Sequence, residues 1–139
     1  EQVPVTTVSQ GFEIAGDHQL TENITFEGSY TYTDAKTEGD RLALTPRHDL
    51  ALGIDADFSN GVGASMDLRH VADVEPSAFA PAGNKVDDYT LVGLGTRYDL
   101  TDTVEIRARV ENLLDEDYET TGGFNTAGRS FYAGLSAQF

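Results

Sequence analysis

A strict two-residue period near the end of the chain constrains the fold more than any other feature of the sequence. From Val104 to Glu111, every even position is apolar and every odd position is charged. A second alternating stretch closes the sequence and places Phe131, Leu135 and Phe139 on one face, opposite mainly small or polar residues. Because the side chains of a β-strand point alternately to its two faces, this period predicts strands rather than helices.

The same alternation recurs along the chain and predicts a meander of about seven strands. The predicted strands cover residues 10–20, 23–33, 48–58, 61–70, 88–99, 103–112 and 129–139. Short and long connections alternate between them, and the Asn60-Gly61 pair supplies the positive φ that a tight hairpin turn requires. We therefore predict an all-β fold, an antiparallel up-and-down meander that forms a single β-barrel segment over residues 1–139.

Alternation alone permits two orientations of such strands. In a water-soluble sheet the apolar face packs on a core, whereas in a transmembrane barrel it meets lipid and the polar face lines the lumen. Ten-residue strands at about 3.3 Å per residue, tilted by roughly 45°, project to about 23 Å, close to the apolar band of about 25 Å. The regular exchange of short turns and long loops is typical of bacterial outer-membrane barrels.

Composition excludes several classes of function. The 24 acidic and nine basic residues give a formal net charge of -15, which repels nucleic acid, so we expect no nucleic-acid partner. The absence of cysteine excludes disulfide scaffolds, thiolate zinc sites and thiol nucleophiles. His18, His48 and His70 lie far apart without metal-ligand spacing, and no catalytic motif is present. We predict no enzyme, no catalytic or metal-binding residues and no cofactor.

The most specific signal lies between the last two predicted strands. The pattern V-x-N-L-x-D-x-x-Y runs from Val110 to Tyr118, and after a glycine-containing loop G-R-S-F runs from Gly128 to Phe131. These residues, with the final Phe139, resemble the carboxy-terminal end of TonB-dependent outer-membrane receptors. Strand spacing and the Gly11-Phe12-Glu13 start extend the resemblance over the rest of the chain. It implies the C-terminal segment of a transmembrane β-barrel.

The resemblance also implies a parent protein and its partners. Such a receptor takes up ferric siderophores, cobalamin or similar bulky nutrients across the outer membrane of a Gram-negative bacterium, with energy delivered through TonB. Receptors of this family have a barrel of about 22 strands with a plugged lumen. An odd strand count is expected only of a fragment. The expected partners are the lipid bilayer, upstream barrel strands, the plug domain, the TonB system and the barrel-assembly machinery. The plug domain is absent from this chain, and the isolated fragment is expected to self-associate through its open edges.

Two groups of residues are candidates for function. Charged side chains predicted to face the lumen could contact a ligand or the plug: Arg69, Arg97, Glu105, Arg107, Arg109 and Glu111. The alternative for this group is that arginines pair with acids on neighbouring strands and stabilise the wall. By resemblance, Phe131, Leu135 and Phe139 are a C-terminal signal for barrel assembly.

Two other functions fit the same strand pattern. The first is a small freestanding outer-membrane barrel with a structural or adhesion role. The second is a soluble β-barrel or β-sandwich binding module, in which the apolar faces are buried against each other. In the soluble module, the centre would be dry and formed by Leu52, Ile54, Ile106 and Leu135, and the outside would carry Arg107 and Arg109.

Overall fold

The computed structural model describes residues 5–77 and 85–138. They form one antiparallel sheet whose strands are Thr7–Thr21 (β1), Ile24–Thr37 (β2), Asp40–Arg41 (β3), Pro46–Asp57 (β4), Val62–Val74 (β5), Tyr89–Thr101 (β6), Val104–Glu111 (β7) and Ser130–Ala137 (β8). No helix within these residues is long and apolar enough to cross a membrane.

The strands follow one another across the sheet in chain order. The order is β1-β2-β4-β5-β6-β7-β8, and the two-residue β3 pairs with β2 at the side of this path. All pairs are antiparallel. The prediction of an all-β antiparallel up-and-down meander is therefore confirmed, with a short eighth strand that the sequence pattern did not indicate.

Several strands extend further than the alternating sequence suggests. β2 continues to Thr37, four residues beyond its predicted end, and β5 continues to Val74. The β2 extension is mainly polar and the β5 extension includes two valines, and both pair, because ladder hydrogen bonds do not depend on side-chain polarity. The connection predicted as a loop over residues 34–46 is partly a tight hairpin, in which Glu38 (φ 54°) and Gly39 (φ 95°) both adopt positive φ.

Connections of two lengths lie at opposite ends of the sheet. Residues 22–23, 58–61 and 102–103 make the short connections, and we call their side the short-turn end. Residues 38–45, 75–88 and 112–129 make the long connections, and we call their side the long-loop end. The predicted exchange of short and long connections is therefore present.

The apolar side chains share one face of the sheet and have nothing packed over them. The strand register places Phe26 opposite Ile54, Ile54 opposite Met66, and Met66 opposite Leu94. Ile54 is 37% exposed and Leu135 is 70% exposed. In the described ranges, each strand contacts only its hydrogen-bonded neighbours, so no second layer covers this face. The soluble sandwich alternative, which requires such a layer, is wrong.

The described sheet is open at both edges. β1 pairs only with β2, and β8 pairs only with β7, among residues 5–77 and 85–138. A freestanding barrel requires its first and last strands to pair with each other. This sheet does not close on itself, so the freestanding alternative does not describe it.

Candidate functional site

The predicted lumen charges all lie on the face opposite the apolar one, which we call the charged face. Arg97 is paired in register with Arg107, and Glu105 and Arg109 lie on either side of Arg107 along β7. Arg69 and Glu111 complete the set on this face. The structure thus brings the six residues onto one surface, and whether they contact a ligand or a plug remains a prediction.

Each arginine of this set already contacts a carboxylate. Arg69 binds Asp49 in a bidentate manner, with Nη2 to Oδ2 at 2.7 Å and Nε to Oδ1 at 3.1 Å. Arg109 Nη2 lies 2.9 Å from Glu111 Oε1, and its guanidinium carbon is 4.5 Å from the ring centre of Tyr132. In addition, Arg97 pairs with Asp57, and Arg107 pairs with Glu105. Arg69 and Arg97 therefore pair with acids on other strands, as the wall-stabilising alternative predicts, whereas Arg107 and Arg109 pair with acids of their own strand, β7.

Glycines on neighbouring strands make room for these long side chains. Arg97 crosses β5 to reach Asp57 on β4, and it lies directly over Gly63. A Cβ atom at position 63 would be 2.5 Å from Arg97 Nη1 and 2.8 Å from its Cγ. Glu27 lies over Gly53 in the same way. The sequence shows these glycines, but only the strand register shows what lies over them.

Other acids of the charged face have no such partner. Asp17 lies opposite Glu27, and Asp67 is in the same row across the sheet, separated from Glu27 by Gly53. None of these three carboxylates has a salt bridge within the described residues. Since like charges on opposed strands repel, this row is the part of the charged face that is most open to a cationic contact.

An aromatic cluster marks the apolar face toward the long-loop end. The rings of Phe12 and Tyr32 are 5.7 Å apart, and those of Tyr32 and His48 are 5.4 Å apart. Tyr30 Oη is 2.7 Å from His48 Nδ1. Rings with a polar edge in this position are typical of the aromatic girdle of a membrane barrel.

Beyond the aromatic cluster, an ionic network links the first two long connections. Asp73 accepts hydrogen bonds from Arg41 Nη1 (2.7 Å) and Arg47 Nη1 (2.8 Å), and its own backbone N–H donates to Asp88 Oδ1 (2.8 Å). Asp73 follows Ala72, the residue opposite His48, and so lies on the long-loop side of the aromatic cluster. Hydrogen bonding from Arg41 is the main cause that holds the pKa of Asp73 below its ordinary value.

The residues of the V-x-N-L-x-D-x-x-Y pattern hold the third long connection together. Asn112 is 7% exposed; its Oδ1 accepts the Glu116 N–H at 2.8 Å, and its Nδ2 donates to the Glu116 carbonyl at 2.9 Å. Asp115 Oδ1 accepts the Arg129 backbone N–H at 2.8 Å. Tyr118 packs on Tyr89, with ring centres 4.7 Å apart. The pattern therefore has a structural role in shaping this connection.

These tyrosines line a cleft at the long-loop end. Its lining is formed by the end of the second long connection, the first residue of β6 and the third long connection: Lys85, Asp87, Asp88, Tyr89, Asp117, Tyr118 and Glu119. Sequence analysis did not single out this group, because its members are distant in the chain. No group of three or more histidine, aspartate or glutamate side chains in the described ranges is arranged to hold a metal ion.

The predicted assembly signal lies on the last strand. Phe131 and Leu135 are on the apolar face of β8 and are largely exposed. Phe139 lies outside the described residues. Their role as a signal remains a prediction.

Comparison with known proteins gives consistent matches. The family model described as TonB dependent receptor-like, beta-barrel matches residues 2–113. The vitamin B12 transporter BtuB of Photobacterium profundum is 30% identical over 132 residues, which cover 94% of this chain and 21% of that protein. The ferrichrome outer membrane transporter/phage receptor of Escherichia coli is 31% identical over 132 residues, covering 86% of this chain and 18% of that protein.

Solved structures share the fold. The ferripyoverdine receptor of the outer membrane of Pseudomonas aeruginosa, bound to ferripyoverdine, superposes with a TM-score of 0.82 at 19% identity, covering 97% of this chain and 20% of that one. The chain thus spans about a fifth of the length of these relatives.

Proposed function

The chain belongs to the TonB-dependent receptor-like β-barrel family, and on that premise we propose that it is the C-terminal barrel portion of an outer-membrane transporter for ferric siderophores, cobalamin or similar bulky nutrients. One observation carries the proposal: a single-layer meander exposes apolar side chains on one face and gathers charge on the other. The relatives named as transporters of vitamin B12 and ferrichrome support the nutrient class.

In this proposal the sheet crosses the outer membrane of a Gram-negative bacterium. The apolar face meets lipid, and the charged face lines the lumen. The long-loop end lies outside the cell and the short-turn end in the periplasm, as in bacterial barrels generally. The aromatic cluster of Phe12, Tyr30, Tyr32 and His48 then lies at the extracellular interface of the membrane.

The open edges determine which strands the chain needs as partners. An unpaired backbone N–H or C=O in hydrocarbon costs several kcal/mol, so the free sides of β1 and β8 have to be paired. We propose that other strands of a longer barrel pair with them and that a plug domain fills the lumen. The row of Asp17, Glu27 and Asp67 is the charged-face region most open to the plug, because the arginines are already paired.

Two further partners complete the proposal. TonB energises transport through the plug, and the barrel-assembly machinery recognises the end of the chain, with Phe131 and Leu135 on the exposed face of β8. The chain carries no catalytic activity in this proposal, in keeping with relatives that are named as transporters and receptors.

Transport assays test the proposal directly. In a strain lacking the gene, growth on cobalamin or on a ferric siderophore as the limiting nutrient is measured with and without the complete gene product. We expect growth to require both the gene and TonB, and the protein to fractionate with outer membranes. Growth that is indifferent to TonB, or a protein recovered in the soluble fraction, would contradict the proposal.

A further inference from the structure

The cleft at the long-loop end, which we call the mouth cleft, combines an aromatic pair with carboxylates. Tyr89, at the start of β6, and Tyr118, in the third long connection, provide the rings. Their ring planes are inclined by 39° with centres 4.7 Å apart. Tyr89 is on the charged face, opposite Val71. The cleft is therefore on the lumen side at the outer mouth of the proposed barrel.

Tyr89 carries an open hydrogen-bonding group into this cleft. Its residue surface is only 8% exposed, and its hydroxyl has no hydrogen-bond partner among residues 5–77 and 85–138. The partnerless side-chain atoms that are sealed from solvent in those ranges are Asp34 Oδ1 and Arg47 Nε, so the Tyr89 hydroxyl remains accessible. A tyrosine hydroxyl that has no protein partner and is reached by solvent can bond to water or to a ligand that displaces it.

The charges around the tyrosines are mainly negative. Asp87 and Asp117 make no salt bridge in the described part of the chain, and Glu119 only accepts the Gly123 N–H at 2.6 Å. Asp88 accepts the Asp73 N–H. Lys85 is the cation among the described lining residues. Four carboxylates against one ammonium group leave the cleft with a net negative charge, and a concave wall concentrates such a field.

Arg69 of the charged face is near enough to act electrostatically on Tyr89 and Tyr118, and its charge is balanced by Asp49. Arg69 is held by both oxygens of Asp49, and neither residue lines the cleft. The carboxylates are also not grouped in threes suitable for a metal ion, within the described ranges. An aromatic face beside carboxylates fits a protonated or quaternary amine, which is attracted by both the ring and the charge.

We infer that the mouth cleft binds an organic ammonium group of the transported solute. The inference rests on the proposed function and names the charge class of its substrate. Tyr89 and Tyr118 contact the cation through their rings, and Asp87 and Asp117 supply the charge. The Tyr89 hydroxyl donates to, or accepts from, a polar group next to the cation.

Choline and its uncharged isostere 3,3-dimethyl-1-butanol form a probe pair that differs only in charge. Their binding to the purified full-length protein in detergent is titrated by nuclear magnetic resonance, using saturation transfer to each ligand. We expect choline to bind at least about tenfold more tightly than the isostere. Equal affinity, or preference for the neutral probe, would overturn the inference.

Charge variants test the location of the site. The double substitution Asp87→Asn with Asp117→Asn should weaken choline binding about tenfold and leave the isostere unchanged. The matched control is Glu22→Gln with Asp102→Asn, which removes the same charge from the short-turn end. An equal loss in the control would show that only the overall charge of the protein matters, and no loss in the cleft variant would place choline elsewhere; either result overturns the inference.

Failure of this inference is distinguishable from failure of the proposed function. A protein that sits in the outer membrane and supports TonB-dependent growth, yet binds both probes alike, retains the proposed function and loses only the charge preference. A protein outside the outer membrane, or with transport independent of TonB, contradicts the proposed function whatever the probes show.

Discussion

Long charged side chains of the charged face lie over glycines of the next strand, which have no side chain to block them. Arg97 over Gly63 and Glu27 over Gly53 are the clearest cases. A residue with a Cβ atom at either glycine would displace the long side chain that lies over it. At this scale, the small residues of the alternating pattern determine which ion pairs the wall can form.

Gly63→Ala tests this dependence. The added methyl group pushes Arg97 off its position over β5 and breaks its contact with Asp57, so we expect a loss of about 1 kcal/mol in unfolding free energy. Urea unfolding of the full-length protein in detergent measures it. Gly134→Ala, on the same face with no atom within 4 Å of the added Cβ, is the matched control and should be near neutral. In an Arg97→Ala background, Gly63→Ala should cost little, and an undiminished cost there would contradict the explanation.

Asn112 is the residue on which the third long connection depends. Asn112→Ala removes the two hydrogen bonds to Glu116 and also forces alanine into φ 50°. We therefore expect the stability of this connection to fall by about 2 to 4 kcal/mol. Asn112→Gly relieves the backbone but not the hydrogen bonds, and should cost about 1 kcal/mol less than alanine. Hydrogen exchange at the Glu116 amide reports the change. Exposed Asn60→Ala is the control, and unchanged exchange at Glu116 in Asn112→Ala would contradict this role.

Asp73 gives the ionic network a defined pH dependence. Its pKa is lowered in the folded protein, mainly by hydrogen bonding from Arg41, so its stabilisation is present above the unfolded pKa and is lost as pH falls through the folded value. The stability difference between the native protein and Asp73→Asn should therefore be constant near neutral pH and shrink below about pH 4. Urea midpoints measured across pH test this. For the exposed turn variant Asp102→Asn, the stability difference from the native protein should not change with pH in this way. A stability difference for Asp73→Asn that persists in acid would contradict the proposed role of the Asp73 carboxylate.

At the scale of the strand, adjacent positions have opposite environments. Ile54 is on the apolar face of β4, and Asp55, its neighbour, is on the charged face. In the proposed barrel one face meets lipid and the other meets the lumen, so an inserted charge should have very different consequences one residue apart.

Ile54→Arg and Asp55→Arg form a matched pair on one strand. Arginine on the lipid face near the bilayer midplane costs about 2 to 4 kcal/mol, so Ile54→Arg should destabilise the folded protein by about that amount. Asp55→Arg should cost less than about 1 kcal/mol, because its side chain remains in water. Reversible folding of the full-length protein into lipid vesicles measures both. Equal costs at the two positions would mean that the faces are wrongly assigned to lipid and lumen.

For the whole molecule, closure of the sheet is the decisive property. Every second amide of β1 and of β8 points away from its only neighbour in the described sheet. In the full-length protein in membranes, we expect these amides to exchange as slowly as those of the central strand β5, because other barrel strands pair with them. Fast exchange at alternate positions of both edge strands would contradict closure. The amides of the turn at residues 102–103 provide an internal reference for fast exchange.

The sequence alone was sufficient for the fold class and the family. The period of two from Val104 to Glu111 required strands, and the V-x-N-L-x-D-x-x-Y pattern indicated the TonB-dependent receptors. Both are local signals, since alternation follows from the geometry of a single strand and the pattern covers only the end of β7 and the start of the next connection. The grouping of Arg69, Arg97 and Arg107 on one face followed from the same alternation.

The tertiary structure decided what local patterns cannot specify, namely which strands are neighbours and in what register. That register pairs Arg97 with Asp57 across Gly63, leaves Asp17 and Glu27 opposed without a partner among the described residues, and extends β2 and β5 past their alternating sequence. It also brings Tyr89 and Tyr118 together in the mouth cleft. Contacts between residues distant in the chain depend on backbone pairing and on loops that fold back, and neither is encoded in the spacing of residues along one strand.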